Sequence, residues 1–442
     1  MKLHKALIGV CLAGALCLPN QAVAADAVMR LSLADALERA RQNNYTIKAA
    51  RSRVDQSEGR VVQSRQAFLP KVTLSETLMI SNDPGAALVF KLQQTSLQNS
   101  DFEASRMTHP DVINDFNTSL QVMQPIYNAD ASAGRAMALT AKKAQELLTV
   151  RTEETIGLQV TKLYYGFLLA KKNIEAVDQS IATMQGYSAE AAKGYNVGML
   201  SKSDKLSTEV RLAELQEQRL LLQDEIKNAG DMLKVMLRLD SAVTIVLTGD
   251  FVVDGHFPGE EPTSFVENRS DIKAYEMFRM VASYQEEMVN KSRLPRLNAF
   301  LQTNLHSDNI FSGGSSFAVG LNMQWNIFDG MATSGRIQET KAQEREALYN
   351  YEAAKSNTLV EVQKSFRSLK TAKTRIVVAA KSLEEAKVSL DYIGKKYKTG
   401  MAMTFELLMR EQAFTYSKMR LNQASYDYCV SKKELEYYKG GM

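Results

Sequence analysis

Residues 124–135 have the sequence QPIYNADASAGR, and residues 325–336 repeat it in modified form as WNIFDGMATSGR. Four positions are identical and three more are conservative replacements. In each copy an apolar run typical of a β-strand comes before the stretch, and a long polar pattern typical of a helix follows it. We therefore expect the chain to build the same kind of strand-to-helix corner twice.

Other landmarks recur in the same order, which predicts that the chain is a tandem repeat. Leu69-Pro70 returns 225 residues later as Leu294-Pro295, and Tyr195–Met199 returns 202 residues later as Tyr397–Met401. The corner returns after only 201 residues, so the first copy holds 24 extra residues between its Leu-Pro pair and its corner. These extra residues fall near 83–115, where the prolines predict an extended loop.

The predicted organisation has four segments. They are a secretory signal peptide at 1–25, a first repeat at 26–240, an equatorial linker at 241–262 and a second repeat at 263–442. Each repeat is expected to contain a helix, two strands, a very long helix and a last helix, in that order. In the first repeat the predicted elements are helix 32–67, strands 70–82 and 114–127, long helix 131–194 and helix 203–238. In the second repeat they are helix 263–292, strands 295–307 and 315–328, long helix 333–396 and helix 404–437.

The first residues are those expected of an exported protein. Lys2 and Lys5 precede an apolar run too short to span a bilayer, and Ala22-Val23-Ala24 offers a small-residue cleavage site. Cys429 alone remains after cleavage, so no internal disulfide is expected. No later apolar run is long enough for a transmembrane helix, which leaves a periplasmic, secreted or outer-membrane β-barrel protein. The 54 basic and 50 acidic residues nearly balance, which argues against a nucleic-acid partner.

The predicted strands alternate apolar and polar residues, which gives each an apolar and a polar face. In the stretch 316–326, for example, Phe317, Val319, Leu321 and Trp325 share one face. This pattern fits the half-buried sheet of a soluble protein and the lipid-facing sheet of a membrane barrel equally well. Four strands cannot close a membrane barrel, because about eight are needed. In the membrane case, several chains must therefore share one barrel.

The two very long helices carry apolar residues at alternating steps of four and three, which is the heptad pattern of a coiled coil. The apolar seam runs from Ile156 to Met184 in the first copy and from Val362 to Ile393 in the second. At 1.5 Å per residue, a helix of about 64 residues is roughly 95 Å long. That length favours an elongated tube or rod over a compact helical bundle.

Signs of catalysis, of a cofactor or of a metal site are missing from the sequence. His109, His256 and His306 have no Cys, Asp or Glu partners at a metal-ligand spacing, and no nucleophile elbow, P-loop or dinucleotide-binding turn is present. We expect a protein that is not an enzyme and binds no cofactor.

Each very long helix leads into a tight reversal, at Val197-Gly198-Met199 and at Thr399-Gly400-Met401. Glycine supplies the positive φ that ends such a helix. The simplest interpretation is a plain turn between antiparallel helices. Apolar residues exposed at the end of an extended structure instead indicate a docking surface.

In these features the sequence resembles the TolC-like outer-membrane efflux protein family over essentially the whole mature chain. The resemblance rests on the order and spacing of the tandem repeat, the Leu-Pro pairs, the two corners and the two Tyr-x-x-Gly-Met turns. It implies an α+β homotrimer with four strands per chain. These strands would form a twelve-stranded outer-membrane β-barrel, continuous with a long periplasmic α-helical coiled-coil barrel.

The resemblance also implies a function, location and partners. The channel would sit in the outer membrane of a Gram-negative cell and extend into the periplasm. Its tips would dock to a periplasmic adaptor (a membrane fusion protein), which connects it to an inner-membrane pump of the RND or ABC type. It would passively conduct drugs, metals or proteins to the exterior.

In this family the helical barrel ends in a narrow aperture at its periplasmic tips. Some members close this aperture with a tyrosine before the tip glycine and with acidic residues after it. Tyr397 matches that tyrosine and Glu406 the first acidic position, so three Glu406 side chains are expected to form a ring that favours cations. Met409 stands at the second acidic position and Ala402 at the position of the tip arginine, which argues against a double acidic ring. Arg410, next to Met409, is expected to alter the charge of this gate.

The two corners supply matched residues for three roles: an aromatic girdle at the membrane interface, close packing where sheet becomes tube, and helix capping. The pairs expected to fill them are Tyr127 and Phe328, Gly134 and Gly335, and Asp130 and Thr333, respectively.

Two alternatives stay open at the level of sequence. A soluble exported coiled-coil scaffold, in which the strands merely pack against helices, is the alternative from another class of protein. Within the channel class, the sequence does not separate efflux from type I protein secretion.

Overall fold

The computed structural model describes residues 28–253 and 266–441. The predicted signal peptide lies outside these residues, and so does part of the predicted linker. The helices are α1 Leu33–Asn43, α2 Tyr45–Gln63, α3 Pro84–Gln93, α4 Ala104–Thr108, α5 Ala131–Asn196, α6 Lys202–Leu237, α7 Ser270–Lys291, α8 Ala332–Lys398 and α9 Thr404–Lys439. The strands are β1 Val28–Leu31, β2 Lys71–Ser81, β3 Ile113–Tyr127, β4 Thr244–Leu247, β5 Arg296–Ser307 and β6 Gly314–Gln324.

Four of these strands form one antiparallel sheet in the order β2-β3-β5-β6. The central pair, β3 with β5, joins the first repeat to the second. β2 and β6 lie at the edges, so each has one side without a strand partner within the described part of the chain. Such open edges are sites where another chain can add its own strands.

The register of the sheet sets like side chains beside each other. One row across the four strands is Val72, Val122, Leu301 and Val319, and the next row is Thr73, Gln121, Gln302 and Ala318. Because successive residues point to opposite faces, one face of the sheet is mostly apolar and the other mostly polar. The apolar face is uncovered in the single chain, where Phe317 is 79% exposed.

The very long helices α5 and α8 have 66 and 67 residues, so each is about 100 Å long. The chain returns along each of them through a shorter helix of 36 residues, α6 or α9. Seam residues such as Val177 and Met184 are fully buried, packed with Leu215 of α6. The predicted coiled-coil packing is therefore present.

A small parallel pair, β1 with β4, connects the first described residues to the segment between the repeats. Leu31 and Leu247 from these strands are buried in one core with Tyr164, Phe167 and Leu233 of the helices. The sequence does not reveal this pairing. The four residues of β1 are too few to show a pattern, and only this core selects their pairing.

The helix predicted at 32–67 is two α-helices in the structure, followed by a short 3-10 turn. α1 ends and α2 begins at Asn44, whose backbone is extended with φ −60° and ψ 130°. The Asn44 side-chain oxygen accepts a hydrogen bond from the Thr46 amide at 2.8 Å. Its side-chain nitrogen donates to the Met236 carbonyl of α6 at 3.1 Å. Asn44 thus caps α2 and fixes the bend through a tertiary contact that periodicity does not reveal.

The prediction of an extended loop around residues 83–115 is wrong, because this insertion folds into α3 and α4 around the buried Phe90. At its base, Gln94 donates to the Asp115 carboxylate at 3.0 Å. Asp115 is buried, and its other oxygen lies 2.9 Å from Nδ1 of His306. Asp115 and His306 belong to the polar face of the sheet, so the insertion covers one end of that face.

Two other predicted bounds differ from the structure by more than two residues. The strand predicted at 315–328 ends at Gln324, and the helix predicted at 263–292 begins at Ser270. The strand ends early because Gln324 lies opposite Arg296, the first residue of its partner β5. Beyond it, the Trp325 indole N–H donates to the Arg293 carbonyl at 3.0 Å. Within residues 28–253 and 266–441, no helix combines the length and apolar character that crossing a membrane requires.

Candidate functional site

The first corner connects β3 directly to α5. β3 ends at Tyr127 with an irregularity in its pairing between Pro125 and Tyr127, and α5 starts at Ala131. Asp130 makes no side-chain cap to α5. Its carboxylate instead accepts a hydrogen bond from the Arg296 guanidinium of β5. The prediction of a capping role for Asp130 is therefore wrong: this residue ties the corner to the sheet.

The second corner is a longer loop in which Asp329, two residues before the N-cap residue Met331, bonds to the first turn of α8. The Asp329 carboxylate accepts from the Thr333 amide at 2.9 Å and from the Thr333 hydroxyl at 2.5 Å. These bonds, the hydroxyl bond first, hold the pKa of Asp329 below its usual value. Thr333 was the predicted cap, but it is the donor, and Asp329 does the capping. Met331, just before α8, has a positive φ of 72°.

The aromatic residues of the corners are exposed in the single chain. Tyr127 is about half exposed, whereas Phe328 is 80% exposed and its neighbour Ile327 is similarly exposed. The predicted girdle role of Tyr127 and Phe328 requires such exposure, and it stays a prediction. A Cβ added at Gly134 would lie 3.4 Å from the Met288 sulfur, an ordinary contact distance, whereas a Cβ at Gly335 would meet no atom within 4 Å in the described chain. Close packing at Gly335 therefore needs a neighbour from outside this chain.

The two helical tips have the same backbone construction. After α5, Gly198 has a φ of 77°, and the Met199 amide donates to the Gly194 carbonyl at 2.8 Å. After α8, Gly400 has a φ of 73°, and the Met401 amide donates to the Lys396 carbonyl at 2.8 Å. This bond pattern closes a helix C-terminus and needs a left-handed residue, which glycine provides without strain.

Apolar side chains protrude from both tips into solvent. Those from the first tip are Val197 and Met199, and those from the second are Met401, Met403 and Phe405. Met199, the most exposed, keeps 80% of its surface accessible. Thr399 does not protrude as an apolar group, and its hydroxyl donates to the Lys396 carbonyl at 2.9 Å. The predicted tip residues thus divide into turn formers and an exposed apolar surface.

Each tip has one carboxylate, and each carboxylate is turned toward the start of the returning helix. Asp204 accepts from the Ser201 hydroxyl at 2.6 Å and from the Ser201 amide at 3.2 Å, and the first of these bonds lowers the pKa of Asp204 most. Glu406 accepts from the Met403 amide at 3.3 Å. Met403 has no oxygen with which to complete the reciprocal bond, so the second cap is the weaker one.

The predicted gate residues are not all at the surface. Tyr397 is buried, lies edge-on to Tyr187 at a ring distance of 6.1 Å, and receives a long hydrogen bond of 3.5 Å from Thr404. Glu406 and Arg410 are exposed one turn apart on α9, and no ion pair joins them within the described residues. The side chains of Glu406 and Arg410 are thus accessible, whereas Tyr397 holds α5 and α8 together.

One polar network near the tips was missed at the level of sequence. Glu411 of α9 is fully buried and accepts from the Arg211 guanidinium of α6 at 2.7 Å. Thr415 donates to the other Glu411 oxygen at 2.6 Å and lies 2.5 Å from the Ser180 hydroxyl of α5. A carboxylate on a long polar helix looks like part of a solvated face, and only the packing of α9 on α6 makes it a core residue.

The structure gives no support for a metal site in the residues it describes, where no three potential ligands lie together. His109 is exposed beside Thr108, and His306 belongs to the buried pair with Asp115. His256 lies outside the described residues.

A sheet with one exposed apolar face and two open edges, continued by coiled-coil helices about 100 Å long, is the architecture of an outer-membrane channel subunit. The sequence profile described as "Outer membrane efflux protein" matches residues 36–237 and 262–441. The chain belongs to this family.

Individual relatives agree with this assignment. The alkaline protease secretion protein AprF of Pseudomonas aeruginosa is 22% identical over 334 residues, which cover 73% of this chain and 69% of AprF. The CmeC outer membrane channel of Campylobacter jejuni has a similar fold, with a TM-score of 0.79 and 16% identity over 92% of this chain and 85% of CmeC. The outer membrane protein VceC of Vibrio cholerae has a TM-score of 0.76 and 16% identity over 92% of this chain and 96% of VceC.

The family resemblance predicted from the sequence is thereby confirmed, and so is the α+β fold of strands and long helices. The protein is an outer-membrane export channel that extends into the periplasm, of the class that serves efflux or type I secretion. The family is one of channels, not of enzymes.

Proposed function

We propose that three copies of this chain form one exit duct, with each chain giving four strands to a shared twelve-stranded barrel. The observation that carries the proposal is the sheet, whose apolar face is uncovered and whose edge strands β2 and β6 are both open. Three such sheets side by side would pair every edge, turn the apolar faces to lipid and line the lumen with polar residues.

The tips are the proposed docking surface for a periplasmic adaptor, through which an inner-membrane pump delivers its substrate. Two turns that share a positive-φ glycine and the same closing bond hold Val197, Met199 and Met401 at the end of the helices, exposed to solvent. Exposed apolar groups at such a place favour a protein interface. Glycines 198 and 400 fix the turn geometry, and the flanking residues Val197, Met199, Thr399 and Met401 make the contact.

Site-directed crosslinking in cells tests this docking. Cysteine replaces Met199 or Met401 in the full chain, each exposed beside a glycine that fixes the turn, and a short bifunctional reagent captures whatever protein lies against the tip. Identification of a periplasmic adaptor by mass spectrometry is the expected result. A matched cysteine at Lys227, exposed on α6 away from the tips, should capture none. Capture of no adaptor from either tip position would contradict the docking proposal.

Protein secretion is the second candidate within the export class, and the relation to AprF, a protease secretion protein, favours it. The two roles are separated by deleting the gene and measuring two quantities. Loss of specific proteins from the culture medium with unchanged drug and metal tolerance indicates type I secretion. The opposite pattern indicates efflux.

Glu406 is proposed to form a ring of three carboxylates at the aperture, with Arg410 one turn behind it. Since both side chains are exposed, a ring of negative charge can act on passing ions. Glu406→Ala should lower the cation selectivity of single channels in planar bilayers, and Arg410→Ala should raise it. Glu217→Ala, at an exposed site on α6, is the control. Unchanged selectivity in the Glu406 variant would contradict the ring.

A further inference from the structure

The periplasmic tips carry an excess of positive charge around their exposed apolar residues. The segment 193–205 holds three lysines and one carboxylate, and the segment 395–406 likewise holds three lysines and one carboxylate. Each segment has a formal charge of +2, but Lys193 and Lys205 of the first segment pair with Glu190 and Glu209 just outside it, at 3.1 and 3.7 Å. In the part of the chain that the structure describes, unpaired positive charge therefore remains at Lys202 in the first tip and at Lys395 and Lys398 in the second, where the proposed partner must approach.

The carboxylates of the tips do not neutralise this charge. Asp204 and Glu406 accept hydrogen bonds from the backbone amides of Ser201 and Met403, the N-cap residues of their own helices. Lys202, Lys395 and Lys398 are exposed, and none of the three forms an ion pair within the described residues. These three lysines, called the tip lysines below, are available to a partner.

Helix geometry explains only some of these positions. A cation in the last turn of a helix is favoured by the helix dipole, which accounts for Lys395 and Lys398 in α8. Lys202 occupies the first position of α6, where the dipole disfavours a cation. A positive charge at that site lowers the stability of the isolated chain. Beside a negatively charged partner, the same charge would stabilise the complex.

We propose that the tips of this channel select an adaptor whose docking end is acidic, with Asp or Glu side chains around an apolar centre. The inference rests on the proposed docking function and adds the chemistry of the partner. The apolar residues at the centre would supply most of the affinity, while the tip lysines at the rim would set the partner choice and the association rate. Contacts of this kind weaken with salt, because the Debye length is about 10 Å at 0.1 M.

Two synthetic helical hairpins with one apolar turn test the proposal, one with three Glu residues beside the turn and the other with three Gln. Binding to the full-length channel in detergent is measured by biolayer interferometry at low and high NaCl. The Glu hairpin should bind about tenfold more tightly at low salt, and the difference should largely vanish at high salt. The triple variant Lys202→Gln, Lys395→Gln, Lys398→Gln should lose the preference at low salt.

Three exposed lysines far from the tips provide the matched control, and Lys48→Gln, Lys227→Gln, Lys273→Gln should keep the full preference. Equal binding of both hairpins, or a preference that survives in the tip variant, would overturn the proposal. Vesicles with phosphatidylglycerol form a third probe, and lysine-dependent binding of these vesicles without preference for the Glu hairpin would also overturn it. If crosslinking at Met199 captures an adaptor but the hairpins show no charge preference, the acidic partner is wrong while the docking function stands.

Discussion

The two copies of the repeated corner share a sequence but not a construction. Three residues separate β3 from α5 in the first copy, whereas seven separate β6 from α8 in the second. The helices nevertheless begin at equivalent positions, Ala131 and Ala332, 201 residues apart. The strands end at non-equivalent positions, Tyr127 and Gln324.

The difference shows that local sequence specifies the start of the helix, while pairing decides where the strand ends. β3 has a partner on both sides and stays in the ladder up to the corner. β6 is an edge strand, and its last residues leave the ladder in the single chain. We expect pairing with a second chain to extend β6 toward Phe328, which would make the two corners alike.

The largest effect is expected where the two copies meet, at the buried pair of Glu411 and Arg211. Glu411→Ala leaves the Arg211 guanidinium without its buried partner, which should lower the free energy of unfolding by roughly 3 kcal/mol. Chemical unfolding followed by helical circular dichroism measures this change. Glu214 also pairs with Arg211, at 3.0 Å, but is largely exposed. Glu214→Ala is the control and should cost under about 1 kcal/mol; equal effects would contradict the buried network.

A smaller effect should distinguish the two corners. Asp329→Ala removes the acceptor for two bonds at the start of α8, whereas Asp130→Ala removes only a bond to Arg296. The Asp329 variant should therefore expose the first turn of α8 to faster amide hydrogen exchange, with little change at α5 in the Asp130 variant. The same exchange at both helix starts would show that the two corners are capped alike.

The helix cap can be removed at the first tip and added at the second. Ser201→Ala removes the reciprocal cap of α6 and should cost about 1 kcal/mol. Met403→Ser offers α9 the hydroxyl that the first tip already has, and should stabilise it by about 0.5–1 kcal/mol. Both are measured as shifts in the unfolding midpoint. Destabilisation by Met403→Ser would mean that the exposed methionine packs on something at the tip.

The smallest expected effect is a pH dependence of the stability of the first tip. The hydrogen bond from the Ser201 hydroxyl lowers the pKa of the Asp204 carboxyl below its usual value. A lowered pKa means that this carboxylate stabilises the folded tip above about pH 4 and loses that contribution as the pH falls further. The difference in thermal midpoint between the natural chain and Asp204→Asn should therefore be larger at pH 7 than at pH 3. A constant difference would contradict the charged cap.

Much of this architecture follows from the sequence because periodic patterns report on faces and repeats. The alternation around Phe317 predicts the apolar sheet face, and the Gly198 and Gly400 turns appear where the repeat predicts them. The bend at Asn44 and the buried Glu411 were not predicted. Each depends on a partner helix distant in sequence, and the side chain alone does not reveal that helix.

The central claim is that the four-stranded sheet is one third of a shared barrel. Native mass spectrometry of the detergent-extracted protein tests it most directly, because it counts the chains in one particle. We expect the protein to leave the outer-membrane fraction only with detergent and to be detected as a particle of three chains. Recovery from the periplasm without detergent as a single chain would contradict it.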